Sequence, residues 1–352
     1  MSRKLIKGNE AAIFGAILGG STHYFGYPIT PASEMAHAAA RYFPACGRHF
    51  LQAECEVASI NMIYGAAGAG ARPMTGTSGP GLSLMAEGLS YLAAAELPCV
   101  VVDVQRAGPG LGNIFPAQGD YNCTVKGGGH GDYHCAVLAP ESAQEMCDFA
   151  YHGFEIAEKY RSPVIILADA CIGQLMEPVE LPATVRPNPV KDWAVYGDAR
   201  SRPNLISSIF MDPQAIQAHN QKLQAKYLGM AQEITSAEEF LLDDAEFAFA
   251  AFGICARICK SSVRLLRQQG IRAGVFRPKS LFPFPSAAVE ALAGRVARLV
   301  TVELNSGHMF EDVRLATGGR APTSLYSWSG GMVPTAEEIA ARLTREIAGA
   351  RV

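Results

Sequence analysis

The chain has 352 residues, enough for about two domains. Hydrophobic residues make up 49% of the chain and charged residues 18%, so it can bury a large core, and its low charge fraction favours a surface partly covered by a partner. The formal net charge of −3 gives no sign of a surface for nucleic acid or for an anionic membrane.

The cysteine pattern and the hydropathy of the sequence indicate the cellular compartment. The nine cysteines are scattered, and none is in C-x-x-C spacing. Cys255 and Cys259 lie four residues apart, and we interpret them as small buried residues of a reducing cytosol rather than as metal ligands. We therefore expect no metal site and no iron–sulfur cluster held by this chain alone. No apolar run approaches the roughly 20 residues of a membrane span, and the first 14 residues lack signal-peptide features, so we predict a cytoplasmic protein.

The first half of the chain alternates between helical and strand patterns. GNEAAIFGAILGG predicts a helix with Asn9 as its N-cap and Gly19 and Gly20 at its end, and a second helical pattern runs from Val57 onward. The strands that we predict next are PMTGT, PCVVVDVQR, CAVLAP and SPVIILAD, with SLMAEGLSYLAAAE and SAQEMCDFAYHGFEIAEKY as helices. Short, almost wholly apolar strands between helices predict a parallel sheet covered on both faces.

The second half begins with a break in this pattern. The sequence from about residue 182 is rich in proline and charge, and a helix is predicted around residues 212–234. A second alternation of strands and helices starts near residue 245. We therefore predict an α/β domain at residues 1–185, a linker or arm at 186–240, and a smaller α/β domain at 241–352.

Glycine-rich and polar loops follow several of the predicted strands. These loops are YPITP, GTSGPG (76–81), QRAGPGLGNIFPAQGDY (105–121) and KGGGHGDY (126–133). Ligands of parallel sheets bind beyond the carboxyl ends of the strands, so we expect the loops to converge on one site. AGPGLG superficially matches a dinucleotide fingerprint, but Pro109 interrupts it and no helix clearly follows, which disfavours a Rossmann site.

Two glutamates lie at the predicted start of the helix that contains Val57. An acid there complements the helix dipole, and we favour that interpretation for Glu56. Glu54, followed 23 residues later by Thr77 of TSGPG, resembles the arrangement in pyrimidine-binding domains of thiamine-diphosphate enzymes. In such a site a carboxyl group hydrogen-bonds the aminopyrimidine ring and activates the cofactor. We expect Glu54 to be buried against Ala and Gly and Glu56 to point away from the ring.

The other half of a thiamine-diphosphate site is missing from the sequence. Binding of the magnesium diphosphate normally needs Gly-Asp-Gly and a later Asn, whereas this chain contains GDY and GDA but no GDG. KGNEA, YPITPASE, QAECEVASINMIYGAAGAGA, TSGPGLSLMAEGLSYL, GPGLGN, KGGGHGDY, RPKSLFPFP and VELNSGHM closely resemble the alpha-type subunit of multi-chain 2-oxoacid:ferredoxin oxidoreductases. Within that family the chain is most similar to the branched-chain (3-methyl-2-oxobutanoate) type.

The resemblance implies roles for individual residues. It gives Glu54 the catalytic contact with the aminopyrimidine, and Thr30 and Arg106 contacts with the substrate. His130 is a further substrate-binding candidate. The remaining cofactor contacts that we predict are Tyr27, Pro28, Ile29, Ser78 and Gly79. A solvated loop arginine is the alternative for Arg106, and a histidine bonded to backbone is the alternative for His130.

The resemblance also implies a fold and a reaction. The fold is a pyrimidine-type domain with a parallel sheet plus a smaller domain like the transketolase C-terminal domain. The reaction is oxidative decarboxylation of a 2-oxoacid to acyl-coenzyme A and carbon dioxide, with reduction of ferredoxin. Thiamine diphosphate is shared with a beta-type subunit, Mg²⁺ and [4Fe–4S] clusters lie on partner chains, and coenzyme A is a co-substrate.

The implied assembly contains a gamma-type subunit and a ferredoxin-like iron–sulfur subunit or ferredoxin, and we expect a dimer of heteromers without nucleic acid or membrane. Three alternatives remain: the 2-oxoglutarate type, a transketolase-like enzyme, and a non-catalytic assembly subunit.

Overall fold

A computed structural model describes residues 3–349. The strands are β1 (Arg3–Lys7), β2 (His23–Gly26), β3 (His49–Gln52), β4 (Pro73–Thr77), β5 (Cys99–Gln105), β6 (Ala136–Leu138), β7 (Pro163–Asp169), β8 (Met176–Glu180), β9 (Ala237–Phe240), β10 (Phe247–Ala251), β11 (Ala273–Pro278), β12 (Ser280–Phe282), β13 (Arg298–Glu303) and β14 (Thr323–Ser327). The helices are α1 (Gly8–Leu18), α2 (Ser33–Ala45), α3 (Glu56–Gly68), α4 (Gly79–Ala94), α5 (Tyr121–Val125), α6 (Ala143–Tyr160), α7 (Ala170–Gln174), α8 (Pro213–Glu233), α9 (Gly253–Gln268), α10 (Ser286–Ala293), α11 (His308–Thr317) and α12 (Ala336–Gly349).

The larger sheet has seven strands in the order β12-β6-β7-β5-β4-β2-β3. All of its strand pairs are parallel except β12 with β6. Every residue of β5 and β7 is buried, because helices cover both faces. Val100 and Val102 pack in the cluster of α1, α2 and α6, whereas Val101 packs with α3 and α4, as the alternation of side chains along a strand requires. The predicted parallel α/β architecture is confirmed.

The smaller sheet has five strands in the order β14-β13-β10-β11-β9. Its strands are parallel except β9, which runs antiparallel to β11. One face is covered by α9 and α12 through residues such as Val263 and Leu343. Residues of α10 and α11 on the other face belong to the same apolar cluster as α3 and α4, so one core joins the two sheets.

The connecting region lies against the larger sheet's helices. Val195 N donates to the Gly68 carbonyl oxygen at 2.9 Å, and Lys191 forms an ion pair with Glu158 at 2.9 Å. The long helix α8 follows, and Leu223 on its buried side packs in a cluster with Tyr160. β9, at the end of this region, pairs in the smaller sheet, and β12 returns to the larger sheet. The boundaries at residues 186 and 241 stay predictions.

Among residues 3–349, no helix is long and apolar enough to cross a membrane. Within the same range, no three or more His, Cys, Asp or Glu side chains are grouped as metal ligands. Cys255 and Cys259 are buried in α9, and burial raises the pKa of both thiols.

Candidate active site

Three loops converge at the carboxyl ends of β2, β4 and β5. These strands are parallel neighbours, so the bend after β2, the turn after β4 and Arg106 after β5 emerge at the same sheet edge. Arg106 joins two of the loops, because its Nη1 donates to the Thr30 carbonyl oxygen at 2.9 Å. The Cγ atom of Arg106 also lies near the Gly79 backbone. Three of the four loops expected to converge therefore meet at this edge, whereas residues of the 126–133 loop line a separate cavity beside α8.

Two amide side chains, of which Asn9 is fully buried, hold the bend at Thr30 and Pro31. The Pro31 carbonyl oxygen accepts hydrogen bonds from Asn9 Nδ2 at 2.7 Å and from Gln174 Nε2 at 3.0 Å. Thr30 itself is exposed. Asn9 is not the N-cap of α1 as predicted, since the helix begins at Gly8 and the asparagine side chain serves the bend instead.

Glu34 links the groups behind the bend. Its carboxylate accepts hydrogen bonds from Gln174 at 2.8 Å, Asn9 at 3.0 Å and Lys7 at 3.1 Å. Burial alone would raise the pKa of Glu34, but the hydrogen bonds from Gln174 and Lys7 outweigh it and leave the pKa below its ordinary value. Glu34 therefore stays ionised near neutral pH, and its hydrogen bonds hold in place the side chains that support the bend.

The two candidate glutamates occupy environments opposite to those expected. Glu54 is exposed in the turn before α3, whereas Glu56 at the first position of the helix is only 5% exposed. A carbon atom built as Cβ on Gly81 would lie 2.6 Å from Glu56 Oε1 and even closer to Thr77 Oγ1. The Glu56 carboxyl group therefore packs at the end of β4. The expected burial of Glu54 is not found in this chain, because α3 begins only after Cys55, its N-cap, and Glu54 lies outside the helix. The direction of Glu56 relative to the cofactor ring stays a prediction.

The end of β4 carries buried hydroxyl groups that have no partner. Thr77 Oγ1 and Ser78 Oγ make no hydrogen bond within residues 3–349. Ser78 occupies the N-cap of α4 without bonding its backbone, and Gly79 follows with φ of +25°. Unpaired buried hydroxyls beside a buried carboxyl group are suited to a polar ring, since each can donate to or accept from it.

Arg106 lies at the mouth of a cavity of about 1060 Å³ between the loops of the two sheets. Its Nη2 donates to the Leu111 carbonyl oxygen at 2.9 Å, and with the bond to Thr30 this fixes the plane of the guanidinium group. Pro80 and Leu84 of α4 and Asn305 after β13 also line the cavity. A fixed guanidinium group at such a cavity is suited to binding a carboxylate in a bidentate manner.

The structure adds two carboxyl groups that the sequence analysis missed. Asp103 is fully buried in β5, and Asp120 lines the Arg106 cavity at the start of α5. Asp103 is the only charged residue in the strand CVVVDVQ. A single acid in an apolar strand could have indicated a functional carboxyl group.

The remaining predicted site residues differ in exposure and location. Tyr27 and Pro28 precede Thr30 in the bend, with Tyr27 exposed, and Ile29 packs against the larger-sheet core. His130 is exposed in the 126–133 loop and does not line the Arg106 cavity. Its predicted contact with substrate stays a prediction.

Comparisons with known proteins identify the family of the chain. A family model described as pyruvate flavodoxin/ferredoxin oxidoreductase, thiamine diphosphate-binding, matches residues 14–239. A second, described as pyruvate:ferredoxin oxidoreductase core domain II, matches residues 245–339.

Individual relatives extend over most of the chain. Ketoisovalerate oxidoreductase subunit VorB of Methanothermobacter thermautotrophicus is 51% identical over 350 residues, 99% of this chain and 99% of that protein. 2-Oxoglutarate synthase subunit KorA of Archaeoglobus fulgidus is 38% identical over 317 residues, 89% of this chain and 91% of that protein.

Two solved structures share the fold. The 2-oxoglutarate:ferredoxin oxidoreductase from Magnetococcus marinus, with 2-oxoglutarate, coenzyme A and succinyl-CoA bound, has a TM-score of 0.89 at 29% identity. That match covers 98% of this chain and 65% of the other chain. An inactive tetramer of a split-gene transketolase has a TM-score of 0.60 at 15% identity, covers 96% of each chain and shows a common fold.

Proposed function

The chain belongs to the pyruvate flavodoxin/ferredoxin oxidoreductase family, and from that premise we propose that it is the alpha-type subunit of a multi-chain 2-oxoacid:ferredoxin oxidoreductase. The complex oxidises 3-methyl-2-oxobutanoate with coenzyme A to acyl-coenzyme A and carbon dioxide and passes the electrons to ferredoxin. The observation that carries the proposal is the cluster of Thr30, Arg106 and Glu56 at one sheet edge, in a chain 51% identical to a ketoisovalerate oxidoreductase subunit.

The residues at the end of β4 fit the pyrimidine side of thiamine diphosphate. Glu56, Thr77 and Ser78 offer one buried carboxyl group and two unpaired hydroxyl groups. Thr77 and Glu56 pack so closely on Gly81 that a methyl group there would clash with both. When bound, thiamine diphosphate supplies the nucleophilic carbon for the 2-oxo group. The contribution of this chain is to hold the ring and to place against it a carboxyl group that can exchange a proton.

We assign the catalytic carboxyl group to Glu56 in place of Glu54. A group that exchanges a proton with the ring must be shielded from water and held at a fixed distance from it. The burial of Glu56 beside Thr77 supports this role, whereas the exposure of Glu54 in this chain does not. Glu54 would need cover from a partner chain to act in the same way.

Arg106 and Thr30 take the substrate. Both η nitrogens of Arg106 are anchored by carbonyl oxygens, and each keeps a second N–H group for the carboxylate of the 2-oxoacid, whereas Nε is buried. The Thr30 hydroxyl stands on a bend supported by Asn9 and Gln174, so it can donate to the 2-oxo oxygen without reorganisation.

The other half of the site belongs to partner chains in this proposal. A beta-type subunit binds Mg²⁺ and the diphosphate, and iron–sulfur clusters lie on that subunit or on a ferredoxin-like chain. A gamma-type subunit assists coenzyme A, and the heteromer forms a dimer. The names of the relatives as subunits support an assembly of several chains.

The main alternative is a 2-oxoglutarate enzyme, which the KorA relative and the Magnetococcus structure represent at lower identity. The test is to reconstitute the complex and to measure initial rates of viologen reduction with 3-methyl-2-oxobutanoate, 2-oxoglutarate, pyruvate and an aryl 2-oxoacid. We expect the highest kcat/KM with 3-methyl-2-oxobutanoate. A higher value with 2-oxoglutarate would favour the alternative. A purified complex that contains no iron and reduces no viologen with any of the four substrates would favour a transketolase-like enzyme.

A further inference from the structure

Asp103 and Asp120 form a pair of carboxyl groups beside Arg106. Neither carboxyl oxygen of Asp103 receives a hydrogen bond from a donor in residues 3–349, and neither does Asp120 Oδ2. A carbon atom built as Cβ on Gly79 would lie 3.7 Å from Asp120 Oδ2 and 3.8 Å from Arg106 Cγ, so the acid and the arginine flank the same backbone. Two such carboxyl groups are stable together only when they share a proton.

The environment determines which of the two carries the proton. Burial, and then the neighbouring Asp120, raise the pKa of Asp103 well above its ordinary value. Burial raises the pKa of Asp120 to about 6, while hydrogen bonding with Asp103 and the charge of Arg106 oppose that rise. Asp103 therefore holds the shared proton more tightly than Asp120 does, and above a pH of about 6 Asp120 carries the negative charge beside Arg106.

The other groups around the pair are few. Cys123 of α5 faces both carboxyl groups, and burial raises the pKa of its thiol to about 11, so it is uncharged. His308 of α11 lines the same cavity, and burial lowers the pKa of its imidazole. Arg106 from the segment after β5 is the cation next to Asp120. The charge that Arg106 presents to an anion therefore depends on Asp120.

We propose that Asp120, paired with Asp103, is a positioning residue that sets the affinity of Arg106 for the substrate carboxylate. Ionised Asp120 balances part of the guanidinium charge and weakens the attraction for the 2-oxoacid. When Asp120 takes up a proton, that balance is lost and the anion binds more tightly. The inference rests on the proposed role of Arg106 as the carboxylate ligand.

The test compares Asp120→Asn with the unaltered protein in the reconstituted complex. KM for 3-methyl-2-oxobutanoate is measured from pH 7.5 to 5.5 at saturating coenzyme A. In the unaltered protein we expect KM to fall about three- to tenfold over this range, the effect of removing one charge near a bound anion in a partly solvated site. In Asp120→Asn we expect a low KM that does not change with pH.

A binding measurement separates affinity from turnover. Calorimetry with 3-methylbutanoate, a carboxylate without the 2-oxo group, should give dissociation constants with the same pH profile. Asp103→Asn should keep the pH profile, since its amide replaces the protonated Asp103 carboxyl group as the donor to Asp120. His308→Gln should keep the pH dependence.

Several results would overturn the inference. They are a KM of the unaltered protein that is constant with pH, the same profile in Asp120→Asn, or loss of the profile in His308→Gln alone. Arg106→Lys separates the substrate role of Arg106 from the role of the Asp103 and Asp120 pair. An unchanged KM in that variant refutes the substrate role of Arg106, whereas a raised KM together with an unaltered profile in Asp120→Asn refutes only the role of the pair.

Discussion

Polar residues lie at the carboxyl ends of strands in both sheets, but their hydrogen bonds differ. At the end of β13, the Glu303 carboxylate accepts hydrogen bonds from the amides of Met309 and Phe310, each at 3.0 Å. Asn305 Oδ1 accepts from the amide of Gly307 at 2.7 Å and from that of His308 at 2.9 Å. These acceptors are occupied by their own chain, and they fix the loop that leads into α11.

At the ends of β4 and β5 the buried polar groups lack partners. Thr77, Ser78 and Asp103 each carry a buried oxygen atom without a hydrogen bond in residues 3–349. Leaving one such group unpaired costs about 1–3 kcal/mol. Several together at one edge indicate a place that another molecule completes, whereas the paired end of β13 has a structural role. Polar residues after a strand do not distinguish the two cases, but their hydrogen bonds do.

A large loss of activity is expected where a side chain is forced into the unpaired cluster. Gly81→Ala would displace the Glu56 carboxyl group and the Thr77 hydroxyl group, because the added carbon occupies their space. We expect kcat of the reconstituted complex to fall by about 10², the lower end of what an acid–base group contributes. Steady-state viologen reduction measures this.

Gly65→Ala is the matched control for that substitution. It lies in α3, the helix that begins with Glu56, and a carbon atom there has nothing within 4 Å. We expect kcat within a factor of about two and slightly higher stability, since Ala is favoured over Gly in a helix by about 1 kcal/mol. Equal losses in both variants would show that helix changes in general, and not the carboxyl group, limit activity.

A moderate effect is expected at Arg106. Arg106→Lys removes the planar fork that bonds both Thr30 and Leu111, and a single ammonium group cannot replace it. We expect KM for the 2-oxoacid to rise about tenfold, the equivalent of one charge-assisted hydrogen bond of about 1.5 kcal/mol, with a smaller change in kcat. An unchanged KM would favour the alternative that Arg106 is a solvated loop arginine without a substrate role.

The smallest effect on activity is expected at the paired end of β13. Glu303→Gln exchanges one carboxylate oxygen for an amide that cannot accept, so one of the two backbone donors is left unpaired at a cost of about 1–3 kcal/mol. We expect a lower Tm with little change in kcat at 25 °C. Thermal unfolding and steady-state rates on the same samples measure the two effects.

The stability effect of Glu303 should also depend on pH. Burial raises the pKa of Glu303 to about 7, above its value in the unfolded chain. Its contribution is therefore fully present below the unfolded-state pKa and is lost as the pH rises through about 7. The Tm difference between the unaltered protein and Glu303→Gln should shrink from pH 5.5 to 8. A difference that grows over that range would contradict the assignment.

The sequence was sufficient for the sheet and for the edge at which the loops meet. The apolar runs of β5 and β7 are long enough to predict buried parallel strands, and YPITP and TSGPG follow strands at that edge. β12 was not predictable as part of the larger sheet, because its pairing with β6 joins residues far apart in sequence. Local pattern carries no information on such pairings.

The site residues were harder to predict at single-residue precision. Glu54 and Glu56 differ by two positions, and the choice between them depends on where α3 begins, which the cap at Cys55 and the preceding strand β3 determine. Asn9 fits the N-cap preference, but its contact with Pro31 is a tertiary one. The Asp103 and Asp120 pair likewise appears only when the end of β5 meets the start of α5.

The central claim is that Glu56, in the unpaired cluster, is the carboxyl group that activates the cofactor. Glu56→Gln and Glu54→Gln, each in the reconstituted complex with assembly checked by gel filtration, test it most directly. We expect Glu56→Gln to lower kcat by about 10² to 10⁴ and Glu54→Gln to change it by less than about threefold. Full activity in Glu56→Gln together with a loss in Glu54→Gln would contradict the claim.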